Sequence, residues 1–420
     1  MYKKTTLDNG LRVLTAAMPH TRSVSINFFI GTGSRYEEPE RAGVSHFIEH
    51  LAFKGTQRRP TTKDISEAIE GVGGLLNAGT DRELTIYWCK VARPHLDLAL
   101  DVLVDMLRNS KYEPEEIERE RKVIIEELNM SLDSPRSRVG MLIDEVVWPD
   151  QALGRDVVGT KETVSTISRP AILDYLFHQY APNNTVVSVA GEIDHDEVVA
   201  HINDALRDWP QATPVSWYPV EDGQGAPRFQ VEQRDTEQAH LCLALHGLPY
   251  LHPDRYTLDL LDVILGQGMS SRLFLEIRER RGLAYDVHSF VTHYRDAGAL
   301  TVYAGVDPKQ ADATLESILA ELNRLKEGVP EAELTKAKEL SKGRLLLRME
   351  DTRSVSSWIG AQELLIDRIR TVDDVIAIID SITAEDLQRV AKELLTTEKL
   401  NLALVGPFPS GERFQALLKL

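Results

Sequence analysis

The feature that most restricts how this chain of 420 residues can fold is an internal repeat. Segments of the second half resemble segments about 215 positions earlier, in the same order along the chain. The clearest pairs are LTIYWCKV at 84–91 with LTVYAGV at 300–306, and NTVVSVAG at 184–191 with LNLALVG at 400–406. Similarity at a fixed offset indicates duplication of one structural unit. The sequence therefore predicts two copies of an α+β unit.

The stretch between the two copies has the composition of a linker. Residues 210–227 are rich in Pro and Gly and lack hydrophobic periodicity. We therefore expect an N-terminal domain at 1–209, a linker at 210–227 and a homologous C-terminal domain at 228–420. The length also exceeds that of one ordinary domain.

Charge and composition exclude several classes of protein. The net charge of −17 argues against binding to nucleic acid, and no basic stripe with interleaved aromatic residues is present. No segment approaches the run of about 20 apolar residues that spans a bilayer. The N-terminal stretch lacks the apolar core and cleavage site of a signal peptide. Cys89 and Cys242 are far apart and form no C-x-x-C motif, which suits a reducing compartment. We therefore expect a cytoplasmic protein without a membrane or nucleic-acid partner.

The first copy contains the pattern H-x-x-E-H, formed by His46, Glu49 and His50. On a helix, the i, i+4 spacing places both imidazoles on one face, one turn apart. That geometry suits two ligands of one zinc ion. Glu49 can reach the same face and accept a proton in metal-assisted hydrolysis. A histidine pair on a helix face is often only structural, so the pentapeptide alone leaves both interpretations open.

A third ligand is expected, because a catalytic zinc ion takes three protein ligands and one water. The stretch PEEIERERKVIIEELNMSL at 114–132 has the periodicity of a helix with an apolar stripe. Glu120 and Glu127 are seven residues apart, so they share a face close to that stripe. A half-buried carboxylate requires a partner, and a metal ion is one. Glu115, Glu116 and Glu118 of this helix are expected to be solvated.

Three stretches carry a family resemblance: GVSHFIEHLAFKGT at 43–56, LNAGTDRELTIY at 76–87 and EIERERKVIIEEL at 116–128. Together they resemble the pitrilysin or insulinase type of zinc metallopeptidases, the inverzincins. The closest likeness is to the mitochondrial processing peptidase and its bacterial relatives. The resemblance implies two α/β-sandwich halves with helices packed on antiparallel-rich sheets. It also implies one Zn²⁺ per chain, and paired subunits that enclose a chamber in which short or unfolded peptides are cut.

The resemblance also assigns roles to individual residues. It places the metal ligands at His46, His50 and Glu127, and the general base at Glu49. Glu120 matches a carboxylate that hydrogen-bonds a ligating histidine, a support that such ligands usually have.

Two further residue pairs match the family pattern. Arg278 and Tyr285, within IRERRGLAYDV, match an Arg and a Tyr near the scissile carbonyl, and both are donor types that stabilise a developing oxyanion. Asn77 and Ala78 match a strand at a sheet edge beside the zinc, to which the peptide substrate adds as a further strand. Without the resemblance, Arg278 would be interpreted as solvated, Tyr285 as core and Asn77 as part of a turn.

The second copy lacks the whole metal set. Aligning the copies places Thr257, Leu260 and Leu261 opposite the H-x-x-E-H residues, and Lys336 and Gly343 opposite the two glutamates. Joint loss of these residues is typical of a single functional site, which would lie in the first copy.

Two alternatives remain open. One is a non-catalytic structural or peptide-binding subunit of the same fold, although such subunits typically lack part of the zinc set. The other concerns the partner, since an active chain of this type works either as a homodimer or with a related, inactive chain.

Overall fold

The computed structural model describes residues 2–420, so Met1, at the start of the predicted N-terminal domain, lies outside the described residues. The strands of one sheet are β1 (Tyr2–Thr6), β2 (Arg12–Ala17), β3 (Ser23–Ile30), β4 (Leu75–Thr80), β5 (Thr85–Ala92) and β6 (Thr185–Gly191). Those of the other are β7 (Arg228–Gln233), β8 (Ala239–His246), β9 (Ala284–His293), β10 (Gly298–Val306) and β11 (Leu400–Gly406).

The two sheets have the same topology. The first has the order β1-β2-β6-β3-β5-β4 and the second the order β7-β11-β8-β10-β9. Once β1 is set aside, the strands correspond one to one. In each sheet one parallel pair, β2 with β6 or β7 with β11, is followed by antiparallel pairs. The duplicated α+β fold with antiparallel-rich sheets is therefore confirmed.

The helices also recur in order. The first half of the chain forms α1 (Val44–Leu51), α2 (Thr62–Glu70), α3 (Leu96–Asn109), α4 (Pro114–Asp133), α5 (Pro135–Val147), α6 (Lys161–Thr166), α7 (Arg169–Gln179) and α8 (His195–Leu206). The second half forms α9 (Arg255–Gly266), α10 (Ala311–Glu327), α11 (Glu331–Arg348), α12 (Thr352–Ile366), α13 (Val372–Ser381), α14 (Ala384–Leu394) and α15 (Glu412–Leu417). A π-helical segment, Phe274–Arg280, precedes β9. Within residues 2–420, none of the helices combines the length and apolar character needed to cross a bilayer.

Two compact units exchange helices. The first unit comprises the described residues up to 128 together with 156–218 and 346–371, and the second comprises 129–155, 219–345 and 372–420. Helix α5 thus belongs to the second unit, where it packs on β8 and β11, whereas α12 belongs to the first and packs on β3 and β6. Each unit combines segments of both repeats. The predicted boundaries, with a linker at 210–227, concern the duplicated sequence segments and stay a prediction.

Both faces of the first unit's sheet are buried. Successive side chains of a strand point to opposite faces. Phe28 therefore packs in the cluster that contains Ile48 of α1, while its neighbour Phe29 packs in the cluster that contains Ile359 of α12. This burial fixes α1 against the sheet.

Candidate metal centre

Helix α1 begins at a glycine that the surrounding packing requires. Gly43 has a φ of 95°, and a Cβ atom there would lie 2.3 Å from the carbonyl oxygen of Val158. The buried carboxylate of Glu37 accepts hydrogen bonds from the backbone N–H groups of Gly43 and Ser45, at 2.7 and 2.8 Å. A negative charge here also complements the helix dipole. The first turn of α1 is therefore fixed in position.

The two faces of α1 carry different kinds of side chain. Phe47 and Ile48 are fully buried in the apolar core. His46 and His50 share the other face, with their ring centroids 4.4 Å apart. The apolar face thus holds the helix in place while the imidazoles face away from the core.

Helix α4 brings Glu127 to the histidine pair. His50 Nε2 lies 3.4 Å from Glu127 Oε2, and His46 Nε2 lies 3.8 Å from Glu127 Oε1. One ligand-type atom from each of the three residues lies within 4.8 Å of the others. A tetrahedral zinc ion with bonds of about 2.0–2.1 Å holds its ligands roughly 3.3 Å apart. The three side chains therefore fit one zinc ion with small adjustments, and three protein ligands leave a fourth position for water or substrate.

Glu120 orients His50 from the side opposite Glu127. Its Oε1 lies 2.8 Å from His50 Nδ1, and its Oε2 accepts a hydrogen bond from Lys54 Nζ at 2.6 Å. Although burial alone would raise the pKa of Glu120, the hydrogen bonds from His50 and Lys54 lower it. The ionised carboxylate holds Nδ1 and directs Nε2 of His50 towards Glu127, as in carboxylate–histidine–metal arrangements.

The two histidines differ in their electrostatic surroundings. Burial, followed by the charge of His50, lowers the pKa of His46 to about 3. Its imidazole is therefore neutral, which is the form that binds a metal. For His50, burial lowers the pKa, but the hydrogen bond with Glu120 and the nearby negative charges outweigh it, so the pKa is raised. Among the described residues, the buried Nδ1 of His46 has no hydrogen-bond partner.

Glu49 lies beside the metal-ligand cluster without belonging to it. Its Oε2 accepts a 2.7 Å hydrogen bond from the hydroxyl of Thr80, the last residue of β4. Burial raises the pKa of Glu49, and the hydrogen bond from Thr80 opposes this increase. A raised pKa makes a carboxylate a better proton acceptor near neutral pH. Thr80 is a positioning residue that the sequence analysis missed.

The stretch after α2 is a hairpin. Residues 81–84 connect β4 to β5, and within the described chain β4 pairs only with β5. Asn77 is exposed, and its Oδ1 accepts a hydrogen bond from the backbone N–H of Ala78 at 2.8 Å. β4 is thus an edge strand that contacts α1, in agreement with the implied position. Substrate binding there stays a prediction.

Arg278 and Tyr285 lie together in the second unit. Arg278 belongs to the π-helical segment and Tyr285 to the edge strand β9, the counterpart of β4. The Arg278 guanidinium stacks on the rings of Tyr285 and Phe274, at 4.5 and 4.8 Å. Tyr285 is 77% exposed, so its interpretation as a core residue is wrong. Both side chains are accessible to a bound molecule.

Glu83 has a structural contact that explains its presence in the family-like stretch. Its buried carboxylate accepts a 2.6 Å hydrogen bond from Arg35 Nη1. Arg35 also stacks on Trp217 and donates to the carbonyl oxygen of Tyr218. Glu83 therefore stabilises the chain that leads into α1.

The equivalent helix of the second copy has no metal-binding side chains at the positions of His46, Glu49 and His50. Thr257, Leu260 and Leu261 are buried in α9. Lys336, opposite Glu120, donates a hydrogen bond to the carbonyl oxygen of Ser270. Within residues 2–420, one group of three or more His, Cys, Asp or Glu residues could hold a metal, and it lies in the first copy.

Comparison with known proteins gives one consistent family. Residues 12–161 match the family described as insulinase (peptidase family M16), and residues 166–341 match the one described as peptidase M16 inactive domain. The uncharacterized zinc protease YmxG of Bacillus subtilis is 37% identical over 418 residues, which cover 97% of this chain and 98% of that protein. An uncharacterized zinc protease of Streptomyces coelicolor is 38% identical over 416 residues, covering 96% and 89%.

Solved structures share the fold at lower sequence identity. A protease from Helicobacter pylori has a TM-score of 0.93 and 23% identity, covering 97% of this chain and 99% of that one. A chain of complex III2 from Candida albicans has a TM-score of 0.83 and 21% identity, with complete coverage of both. At such identities the likeness establishes the fold, which is shared by a protease and by a chain of complex III2.

Proposed function

This chain belongs to the insulinase family of peptidases, M16, and from that premise we propose that it is a zinc-dependent endopeptidase that hydrolyses short or unfolded peptides. The observation that carries the proposal is the convergence of His46, His50 and Glu127, with Glu49 beside them. The names of the two bacterial relatives, both zinc proteases, support the same metal.

Helices α1 and α4 would hold the metal through His46, His50 and Glu127. Zinc bound there supplies a Lewis acid, which polarises the substrate carbonyl and makes a bound water more acidic. The protein orients the ligand side chain of His50 and keeps that of His46 in the protonation state that binds a metal. Glu120 fixes the ring of His50, and burial keeps His46 in the neutral form that can act as a ligand.

Glu49 is proposed as the proton carrier. It accepts the proton of the attacking water and transfers it to the nitrogen of the leaving amine. The pKa of Glu49, raised by burial, suits this exchange near neutral pH. The hydrogen bond from Thr80 holds one carboxylate oxygen, so the group keeps its direction during the transfer.

The edge strand β4 is proposed to receive the peptide. An unpaired strand edge offers backbone N–H and C=O groups to an extended chain. Binding by strand addition depends mainly on the main chain of the ligand, so it favours unfolded segments over folded proteins. Because Thr80 belongs to β4 and holds Glu49, the strand that would bind the peptide also positions the base.

Two chains are proposed to pair and enclose a chamber, as a homodimer or with a related chain. In this arrangement Arg278 and Tyr285 of one copy would donate hydrogen bonds to the oxyanion that develops on the scissile carbonyl, beside the proposed metal ligands of the other. The presence of both the metal set and the donor pair in one chain favours the homodimer.

A non-catalytic subunit is the competing function, since a chain of complex III2 has the same fold. The intact set of three metal ligands and an adjacent, hydrogen-bonded Glu49 favours catalysis. A structural role alone gives no reason to bury a raised-pKa carboxylate beside this cluster.

The decisive experiment compares wild type with Glu49→Gln for zinc content and peptide hydrolysis. We expect about one zinc per chain in both proteins. Hydrolysis of unfolded peptides should fall by roughly 10²–10⁴-fold in Glu49→Gln, because the substitution keeps the shape of the side chain and removes the base.

Glu67→Gln is the matched control, because Glu67 is an exposed glutamate on α2 that pairs with Lys63. It should retain wild-type activity. If wild type held no zinc and cut no peptide, the catalytic proposal would be rejected in favour of the non-catalytic subunit. A loss of zinc in Glu49→Gln would instead make Glu49 a ligand.

A further inference from the structure

A polar cleft of about 360 Å³ lies in the second unit, next to the Arg278–Tyr285 pair. Its walls come from the π-helical segment, from β8, β9 and β10, and from α5, the helix that the first repeat contributes to this unit. The charged or polar side chains that line it include Arg136, His240, Arg278, Asp286 and Tyr303. Nothing in the proposed hydrolysis uses Arg136, His240 or Tyr303.

Arg136 extends from α5 into the cleft, and some of its N–H donors are not engaged by the cleft residues. Its guanidinium stacks over the ring of Tyr303 at 4.7 Å and forms one ion pair with Asp286, at 2.7 Å between Nη1 and Oδ2. A guanidinium has five N–H donors in one plane. The ring of Tyr303 covers one face of the guanidinium, and Asp286 Oδ2 pairs with Nη1 at one edge. Further in-plane donors therefore remain, and the Arg136 side chain is 57% exposed.

The floor of the cleft is kept open by a glycine. A Cβ atom on Gly305 would lie 3.2 Å from the hydroxyl of Tyr303 and 3.8 Å from His240 Nδ1. Those two groups are hydrogen-bonded to each other at 2.8 Å. Glycine at 305 thus avoids crowding the phenol–imidazole pair, which lines the cleft.

The charge of the lining is positive although the chain carries a net charge of −17. Burial, followed by the charge of Arg136, lowers the pKa of His240, so this imidazole is neutral near pH 7. Arg136 and Arg278 then face a single carboxylate of the lining, Asp286. The Nε of Arg278 lies 3.8 Å from a carboxylate oxygen of Glu279, beyond hydrogen-bond distance.

We propose that this cleft is a subsite for a carboxylate group of the peptide substrate, with Arg136 as its principal donor. The carboxylate belongs either to an acidic side chain near the scissile bond or to the C-terminus of the peptide. A planar carboxylate matches the planar fork of an arginine, and such charge-assisted hydrogen bonds are among the strongest in proteins. The inference rests on the proposed peptidase function and adds a substrate preference to it.

The test uses peptides that differ in one carboxylate. In one series, the host peptide has an amidated C-terminus, and each position near the scissile bond carries either Gln or Glu in turn. In the other, the same host peptide carries either a free or an amidated C-terminus. We expect a roughly three- to tenfold lower KM for one Glu position, or for the free terminus, and the responding series identifies the source of the carboxylate.

Substitutions at Arg136 decide whether this cleft is responsible. Arg136→Gln should abolish the preference, and Arg136→Lys should retain part of it. Asp286→Asn should strengthen the preference, since it removes the competing carboxylate. Arg413→Gln is the matched control, because Arg413 also stacks on aromatic rings, lies 3.4 Å from an aspartate and has a half-exposed side chain.

Direct binding separates this inference from the proposed function. The same peptide pairs are titrated into Glu49→Gln, with and without Arg136→Gln, and followed by fluorescence anisotropy. If wild type cuts no peptide but the carboxylate still tightens binding through Arg136, the subsite stands and the peptidase proposal fails. If the carboxylate changes neither KM nor binding, or if its effect persists in Arg136→Gln, the subsite is refuted.

Discussion

Glu120 divides its two carboxylate oxygens between His50 and Lys54. Lys54 therefore acts on the candidate metal centre through Glu120, without touching a proposed ligand. Removing the ammonium frees Glu120 to rotate and leaves His50 Nδ1 less well held. Lys54→Met should lower the affinity for zinc by about tenfold, the size typical of lost support behind a ligand. A competition titration against a chromophoric chelator measures this change.

Lys63→Met provides the comparison, since Lys63 forms a surface ion pair on α2 at 3.3 Å and lies outside this network. It should bind zinc as wild type does. Equal zinc affinities in Lys54→Met and wild type would show that His50 needs no support from this lysine.

Asp262 on α9 predicts a pH dependence of stability. The carboxylate is buried and accepts hydrogen bonds from Ser289 and Gln267. Burial raises the pKa of Asp262 to about 6, although those hydrogen bonds oppose the rise. An unfolded aspartate titrates near about 3.9. Folding therefore takes up a proton between these values, and the associated stabilisation is lost as pH rises through about 6.

Asp262→Asn should remove this dependence, because the amide stays uncharged. Relative to wild type, its free energy of unfolding should improve by about 1–2 kcal/mol between pH 5 and pH 7.5. Urea unfolding of both proteins at the two pH values measures the difference. Asp235→Asn, at an exposed aspartate, should follow wild type. A pH-independent difference between Asp262→Asn and wild type would contradict the assignment.

The sequence predicted some residues of the candidate site from spacing, others only from the family resemblance, and some not at all. Spacing alone placed His46, His50 and Glu49 on one helix face, because helical periodicity is local. It left Glu120 and Glu127 equivalent, since both share a face of α4, and only the family resemblance separated them. The contacts of Thr80 with Glu49 and of Lys54 with Glu120 join different elements, so local spacing contained no signal for them.

At the scale of elements, the approach of α12 to its sheet depends on one glycine. A Cβ atom on Gly360 would lie 2.3 Å from the ring of Phe29 and 2.7 Å from the hydroxyl of Ser188. Gly360→Ala should therefore force α12 outward and destabilise the protein by about 1–3 kcal/mol, the range for overpacked cores. Urea or thermal unfolding measures the change.

Gly343 on α11 is the matched control, because a Cβ atom there meets no atom within 4 Å. Gly343→Ala should stabilise the protein by about 0.5–1 kcal/mol through helix propensity. If both substitutions raised stability, the close packing of α12 would be disproved.

The turn between β4 and β5 has no recognisable motif in the sequence. The connection, Asp81 to Leu84, contains none of the glycine or asparagine signals of a short turn. The turn is instead held by the distant segment at Gly33, where a Cβ atom would lie 2.1 Å from the carbonyl oxygen of Asp81. The backbone N–H of Arg35 also donates to the carbonyl oxygen of Arg82 at 2.9 Å. Because tertiary contacts fix this turn, its own four residues contain no pattern from which the turn could be predicted.

At the scale of the whole molecule, mixing of variants tests whether two copies share their sites. Glu49→Gln and Arg278→Ala should each lower kcat/KM by about 10²-fold or more. In a mixed dimer, one of the two shared sites would combine an intact Glu49 with an intact Arg278. Differently tagged chains, co-expressed and purified through both tags, should therefore regain up to half of the wild-type activity per dimer.

Glu49→Gln mixed with Glu127→Gln is the control, since both substitutions lie in the same metal centre and no intact site can form. Mixed dimers of Glu49→Gln and Arg278→Ala with no more activity than the separate variants would place the donor pair in the same chain as its metal, or make the chain active as a monomer.

The duplication was predictable because it repeats over the whole chain, and the matching strand orders of the two sheets confirm it. The exchange of α5 and α12 between the units was not predictable. The two helices occupy equivalent places in the repeat, and their sequences do not specify which sheet they will cover. That choice depends on contacts between segments far apart in the chain, such as Gly360 with Phe29.

This exchange sets the order of events during synthesis. Helix α12 begins about 300 residues after α1 ends, yet it covers one face of the sheet on whose other face α1 packs. A nascent chain folds from its N-terminus as it leaves the ribosome, but here Phe29 and its neighbours stay uncovered until residues 352–366 emerge. In a half-made chain the unit that contains the candidate metal centre is therefore unfinished, and a prematurely terminated chain presents an apolar sheet face to chaperones and proteases. The architecture thereby ties completion of the candidate metal centre to near-completion of translation.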